Sequence, residues 1–242
     1  MILPPASVVF DVIAATWPAA QTTQVGPWTI REGRGGGSRV SAASTTRAVA
    51  ETDLKGAEEA MVKLGQPKLF SVRSDQTDLD KLLAAQGYIT RDASVLYAAP
   101  TAQIATERPP PVTSFEVWPP LQVQRDVWAE GGIGEDRIAV MERAPHPKTT
   151  LLGRVNDRPA GTAFVGIAHG CAMIHALEVA THARRHGHAR HLTRAAAFWA
   201  AKHGADYLTL VTTQANVAAN ALYTSLGMQV VGQYHYRIKE DD

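Results

Sequence analysis

The sequence predicts an α/β protein in which a mixed sheet carries helices on its faces. Three observations predict it. Residues 149–179 read as hairpin-linked strands, with turn signals at Asn156-Asp157-Arg158-Pro159 and at Ala168-His169-Gly170. Downstream, strands alternate with helices that each stop at a glycine, Gly204 and Gly227. Strands first joined in hairpins and then separated by helices imply a sheet of both parallel and antiparallel pairs. The 242 residues are 45% apolar and 19% charged, enough to bury an ordinary core over one large domain or two small ones.

The elements follow in order. Early in the chain, short strands around residues 28–31 and 39–42 flank the run EGRGGGSR at 32–39. That run lacks the lysine-serine ending of a phosphate-binding P-loop and no clear helix follows it, so it reads as a flexible turn. Residues 57–64 form a helix closed by Gly65, and 69–72 a strand. Residues 78–86 form a helix closed by Gly87-Tyr88, and 89–97 a strand region. Residues 98–112 (AAPTAQIATERPPPV) read as a linker, because Pro109, Pro110 and Pro111 fit neither a helix interior nor a central strand. The expected domains are therefore 1–105 and 112–242.

Beyond the linker come a strand at 115–118, helices at 121–129 and 135–143, and strands at 149–155, 161–167 and 171–179. A helix at 190–203, a strand at 208–212, a helix at 217–226 and a strand region at 228–237 complete the order. The two glycine-stopped helices of the first half lie about 140 residues ahead of those of the second, which suggests duplication.

Composition excludes several classes. The net charge of +1 gives no electrostatic reason to expect a nucleic acid or an anionic membrane as partner. A lone cysteine, Cys171, allows no internal disulfide and no cysteine-based metal site, so no metal is expected. The apolar N-terminal stretch has no basic leader region and carries Asp11 in its middle, which argues against a secretion signal. No run reaches the ~18 apolar residues of a membrane span. These features together predict a cytoplasmic protein; oligomeric state is not legible.

The chemistry concentrates in residues 175–228. Arg184, Gly187 and Ala189 form R-x-x-G-x-A between a strand and a helix start. There the first N–H groups of the helix have no internal partner and, with the helix dipole, suit a phosphate. A glycine lets the backbone turn and approach the ligand. Arg184, Arg185 and Arg190 add charge for a polyphosphate. The same run is also compatible with a solvated basic helix start. The second run is Asn216-Val-Ala-Ala219-Asn-Ala-Leu222-Tyr223-Thr-Ser-Leu-Gly227-Met228. By itself it describes a helix with an asparagine cap and a core tyrosine.

Taken together and in this order, the two runs resemble the GNAT superfamily of N-acetyltransferases. That family carries R/Q-x-x-G-x-G/A after its fourth strand and N-x-x-A-x-x-L-Y-x-x-x-G-F on the helix after its fifth. Ala189 stands for the commoner glycine and Met228 for phenylalanine. The resemblance covers about residues 115–237 and implies a GNAT fold in the C-terminal half, with a smaller, GNAT-like N-terminal domain. It implies acetyl-CoA as cosubstrate, with pantetheine between the splayed strands against Leu177 and Val179. The pyrophosphate would lie on Arg184, Arg185, His186, Gly187, His188, Ala189 and Arg190. Asn216 and Tyr223 would line the thioester end, and Ala219 is a further cofactor-binding residue of the same run.

The implied reaction is direct acetyl transfer to a primary amine, of a small molecule or a peptide, without a covalent enzyme intermediate; Cys171 has no role in it. The alternative is a non-catalytic acyl-CoA sensor of the same fold. Tyr223 matches the tyrosine that protonates the leaving thiolate. His175 is the candidate base, since strand alternation aims Met173, His175, Leu177 and Val179 to one side and Ala176 and Glu178 to the other. The run His175-Ala-Leu-Glu-Val179 also resembles the His-Ala-Leu-x-Val of arylalkylamine N-acetyltransferases, in which the histidine helps remove the amine proton. The first-half segment 44–53, where a duplicated phosphate loop would fall, has no glycine, so a degenerate copy that binds no cofactor is expected there. It could instead wall the substrate cleft.

Overall fold

The computed structural model describes residues 2–239. Its elements are α1 (Ala6–Thr16), β1 (Gln21–Val25), β2 (Trp28–Glu32), α2 (Ser38–Ser41), α3 (Thr52–Lys63), β3 (Lys68–Arg73) and α4 (Thr77–Ala85). β4 (Ile89–Pro100), α5 (Thr101–Ile104), β5 (Ser114–Val117), α6 (Gln122–Glu130), α7 (Glu135–Arg143), β6 (Lys148–Val155) and β7 (Arg158–Ala168) follow. The chain closes with β8 (Cys171–Val179), α8 (His188–Lys202), β9 (Tyr207–Thr213), α9 (Val217–Ser225) and β10 (Gln229–Lys239). The fold class is the expected one: α/β with a mixed sheet.

The chain divides into two compact units. Among the described residues one holds 2–18, 96–212 and 216–231; the other holds 19–95, 213–215 and 232–239. The first unit contains the strand order β4-β9-β8-β7-β6-β5. β5 to β8 are antiparallel neighbours, and β8 with β9 is the parallel pair. β7 and β8 are nearly continuous apolar runs because both their faces are covered. On one face α8 buries Leu192, Ala196, Ala197 and Ala200. Leu192 reaches Gly153 and Gly161, where an added Cβ would lie 3.4 and 3.2 Å from it. The other face carries Thr162, Phe164 and Gly166. There α6 sends Gln124 Nε2 to Thr150 Oγ1 (2.9 Å) and Thr162 Oγ1 (3.1 Å). On the same side α1 sets Thr16 so close to Gly166 that an added Cβ would meet its Cβ at 3.0 Å.

The second unit is built around Trp28, Phe70 and Tyr88, whose rings lie 4.7 and 5.2 Å apart in sequence, with Leu54, Ala57 and Met61 of α3 over them. β1 and β2 form a hairpin at Gly26, and β10 pairs antiparallel with β3.

Four sequence readings need correction. Residues 6–16, assigned no element, form α1; Val9, Val12, Ile13 and Thr16 are buried at helical spacing. Residues 38–41 are a single helical turn rather than a strand, and the extended pairing comes just after it, at Ala43 and Ser44. The linker is shorter than 98–112: Ala98 and Ala99 are buried strand residues of β4, and α5 buries Ile104. Small apolar residues beside a proline hid a strand end.

The fourth correction concerns β8. His175 faces Phe164 and Glu178 faces Thr162, so two residues of β8, Ala176 and Leu177, stand against one of β7. This is a β-bulge, with Ala176 at φ 49. It breaks the alternation. Opposed residues share a face, so Glu178 lies on the face of His175, while Val179, opposite Gly161, lies on the α8 face.

Candidate active site

β8 and β9 pair only from Cys171 to Ile174 and from Tyr207 to Leu210, although both strands run on. Beyond Ile174 they part. Their divergence opens a cavity of about 840 Å³, floored by the ends of both strands and closed by the starts of α8 and α9.

All the cofactor residues expected from the sequence line this cavity except His186: Leu177, Val179, Arg184, Arg185, Gly187, His188, Ala189, Arg190, Asn216, Ala219 and Tyr223. Local geometry explains the loop. Gly187 is the N-cap of α8 at φ 80, and Arg185 is also left-handed at φ 66. The turn at 184–187, ending in a left-handed glycine before the right-handed start of α8, turns successive N–H groups into one concavity that suits an anion. An added Cβ at Gly187 would meet no atom within 4 Å, so glycine is required there by backbone conformation and not by crowding. Arg190 fixes the other side of the loop through Nη2 to Ser225 Oγ of α9, at 2.7 Å. His188 is buried, and desolvation, with the nearby His191, His186 and His182, pushes its pKa below the usual histidine value. It is therefore neutral at pH 7.

At the head of α9 the Asn216 Oδ1 accepts the Ala219 N–H at 3.1 Å, the capping bond its position implies. Tyr223, two turns on, is 6% exposed. Burial pushes its pKa up to about 12, with Tyr97 adding to the shift. Its ring lies 5.7 Å from that of Tyr97, whose hydroxyl donates to Asn220 Oδ1 at 3.0 Å. Tyr97 and Asn220 thus brace Tyr223, and no local sequence signal marked Tyr97, which stands on β4 far upstream.

His175 is not among the residues lining the cavity; it stands one residue beyond the stretch of β8 that pairs with β9, still opposite Phe164 of β7, and is 2% exposed. Trp17 stacks on its ring at 4.9 Å. The Thr16 hydroxyl donates to Val12 O (2.7 Å), so its 2.8 Å contact with His175 Nε2 makes that nitrogen the donor. Glu178, which the alternation had aimed away, does line the cavity. It bonds Arg184 Nη2 at 3.1 Å and packs on Gly131, where an added Cβ would fall 2.6 Å from its carboxyl carbon. The bulge that brings it there is held by Trp128 Nε1, which donates to Ala176 O at 2.7 Å. Cys171 is buried, and desolvation holds its thiol up at about 11, so it is not a nucleophile at neutral pH. Among the described residues no group of three or more His, Cys, Asp or Glu is placed to hold a metal, and no helix is long and apolar enough to cross a membrane.

Comparison with known proteins agrees with this geometry. Residues 110–228 match the model of the acetyltransferase (GNAT) family. An uncharacterised N-acetyltransferase of Bacillus subtilis, YobR, is 27% identical over 239 residues, covering 93% of this chain and 95% of that one. A GCN5-related N-acetyltransferase from Kribbella flavida superposes with a TM-score of 0.75 at 16% identity, over 98% of this chain and 96% of that one. A conserved protein of unknown function from Staphylococcus epidermidis gives 0.72 at 13% identity, over 93% and 96%. The divergent strand pair, the left-handed glycine before α8 and the buried tyrosine of α9 thus stand in a chain that belongs, through residues 110–228, to the GNAT acetyltransferase family.

Proposed function

We propose that the protein transfers an acetyl group from acetyl-CoA directly to a primary amine, with the donor in the cavity between β8 and β9. The observation that carries this reading is the parting of those strands beyond Ile174 and Leu210. Strand edges that separate leave N–H and C=O groups needing partners, and pantetheine is an amide chain that can supply them. The concavity at Arg185 and Gly187 suits the pyrophosphate, and its positive charge comes from Arg184, Arg185 and Arg190.

Transfer requires two proton movements. An amine is mostly protonated at neutral pH and must lose its proton to attack the thioester. The departing thiolate must then gain one. Tyr223 suits that second role, because it lines the cavity and its phenol is protonated at neutral pH, which leaves the hydroxyl a donor. His175 is poorly suited to the first role: its Nε2 carries the proton in the bond to Thr16, and the ring lies under Trp17. Glu178 is the carboxylate on the cavity wall and is the better candidate to receive the ammonium.

Calorimetric titration of acetyl-CoA, followed by thiol release in the presence of a panel of primary amines, tests the reading. Saturable binding with thiol release on at least one amine is expected. Failure to bind acetyl-CoA would remove it, and binding without release on any amine would favour an acyl-CoA sensor.

A further inference from the structure

Arg184 holds two positions at once. It opens the loop that suits the donor phosphates, yet its guanidinium is already engaged at the end of β8. Nη2 donates to Glu178 Oε1 at 3.1 Å and Nε donates to Val179 O at 3.1 Å. Glu178 is pressed between this guanidinium and Gly131, on the connection between α6 and α7. Its side chain keeps 21% of its exposure and that of Arg184 keeps 57%, so the pair can separate without burying a bare charge. All of these groups except Gly131 line the one cavity.

A guanidinium binds phosphate oxygens in the same forked manner as a carboxylate. Resting on the assignment of the cavity to acetyl-CoA, we infer that the donor phosphates and Glu178 compete for Arg184, so that donor binding uncovers the Glu178 carboxylate for a cationic acceptor. The ion pair then acts as a latch. With Arg184 on Glu178, the carboxylate is neutralised and offers an ammonium little attraction. With Arg184 turned to the phosphates, a negative group stands free on the α6 side of the cavity. Each of the two ligands then binds more tightly when the other is present, because the coupling between them is reciprocal.

The test is a double-mutant cycle on the full chain, with CoA affinity measured by calorimetry for the unaltered protein, Glu178→Gln, Arg184→Met and the pair. Removing the charge of Glu178 frees Arg184, so Glu178→Gln should bind CoA about threefold more tightly, the scale of a half-exposed ion pair. Pantetheine, which lacks the phosphates, should bind both proteins equally. In the Arg184→Met background the Glu178 change should leave CoA affinity as it was. Equal or weaker CoA binding by Glu178→Gln overturns the competition. Tightening that persists without Arg184 also overturns it, because it would show direct repulsion between Glu178 and the phosphates. If the unaltered protein binds no CoA, the donor assignment fails first and the competition falls with it.

Discussion

Single residues carry the chemistry. Tyr223→Phe removes one hydroxyl from a packed site and leaves the ring. As the proposed general acid, its loss should lower kcat by ~10²-fold at nearly unchanged KM for acetyl-CoA, read by steady-state kinetics. An unaltered kcat, with chemistry limiting, would take Tyr223 out of the mechanism. The raised pKa of Tyr223 also makes a pH statement. The ordinary tyrosine value is 10.0 and the folded value about 12, so the fold favours the protonated form. That contribution to stability is complete below pH 10 and is lost as pH rises towards 12. Alkaline unfolding should therefore lose part of its steepness between those values in Tyr223→Phe, which circular dichroism against pH will show. At Thr16, replacement by valine keeps the shape and leaves the His175 Nε2–H buried without its acceptor. A loss of ~1–3 kcal/mol is expected in denaturant titration.

Elements decide where those residues point. The R-x-x-G-x-A and N-x-x-A-x-x-L-Y runs were legible because each fixes its own local geometry: a left-handed glycine before a helix, an asparagine cap, a tyrosine two turns on. The face of Glu178 was not legible, because a β-bulge depends on how β8 registers with β7 and leaves no mark in a short apolar run. The closeness of those strands is itself a constraint. A Cβ on Gly161 would lie 2.6 Å from the Glu178 carbonyl oxygen and 3.3 Å from the Val179 Cα, so the backbones must move. Gly161→Val should cost ~1–3 kcal/mol as overpacking, and should also weaken acetyl-CoA binding because the displaced residues line the cleft. Thermal unfolding and calorimetry on the same sample check both; normal stability with normal affinity would refute the argument. At Gly187 the cost is of another kind. Valine there would sit at φ 80 with space around it, so a penalty of ~1–2 kcal/mol comes from the left-handed backbone alone.

At the scale of the whole molecule, a four-element order occurs twice: α3-β3-α4-β4 and α8-β9-α9-β10. The helix stops match, with Gly65 and Gly87 at φ 67 and 83, and Gly204 and Gly227 at φ 76 and 80. The helix starts do not. α8 begins at a left-handed glycine, whereas α3 begins at Glu51 in ordinary helical conformation. One cosubstrate site per chain is therefore expected, and calorimetry should give a stoichiometry of one for acetyl-CoA. The last strands are distributed unexpectedly. β10 pairs with β3 in the second unit, and the later part of β4 neighbours β9 in the first. Each four-element run thus completes its sheet with the strand that closes the other run, and the compact units do not follow the chain's order.

The sequence by itself determined the fold class, the glycine stops and the two runs that line the cleft, since caps, left-handed turns and helix periodicity act over a few residues. Tertiary structure alone decided that β4 would bring Tyr97 beside Tyr223, that α1 would place Thr16 and Trp17 against His175, and that a bulge would turn Glu178 to the cavity. Those outcomes depend on which strands pair and in what register, and pairing energy is shared among residues far apart in the chain, so no short stretch records it.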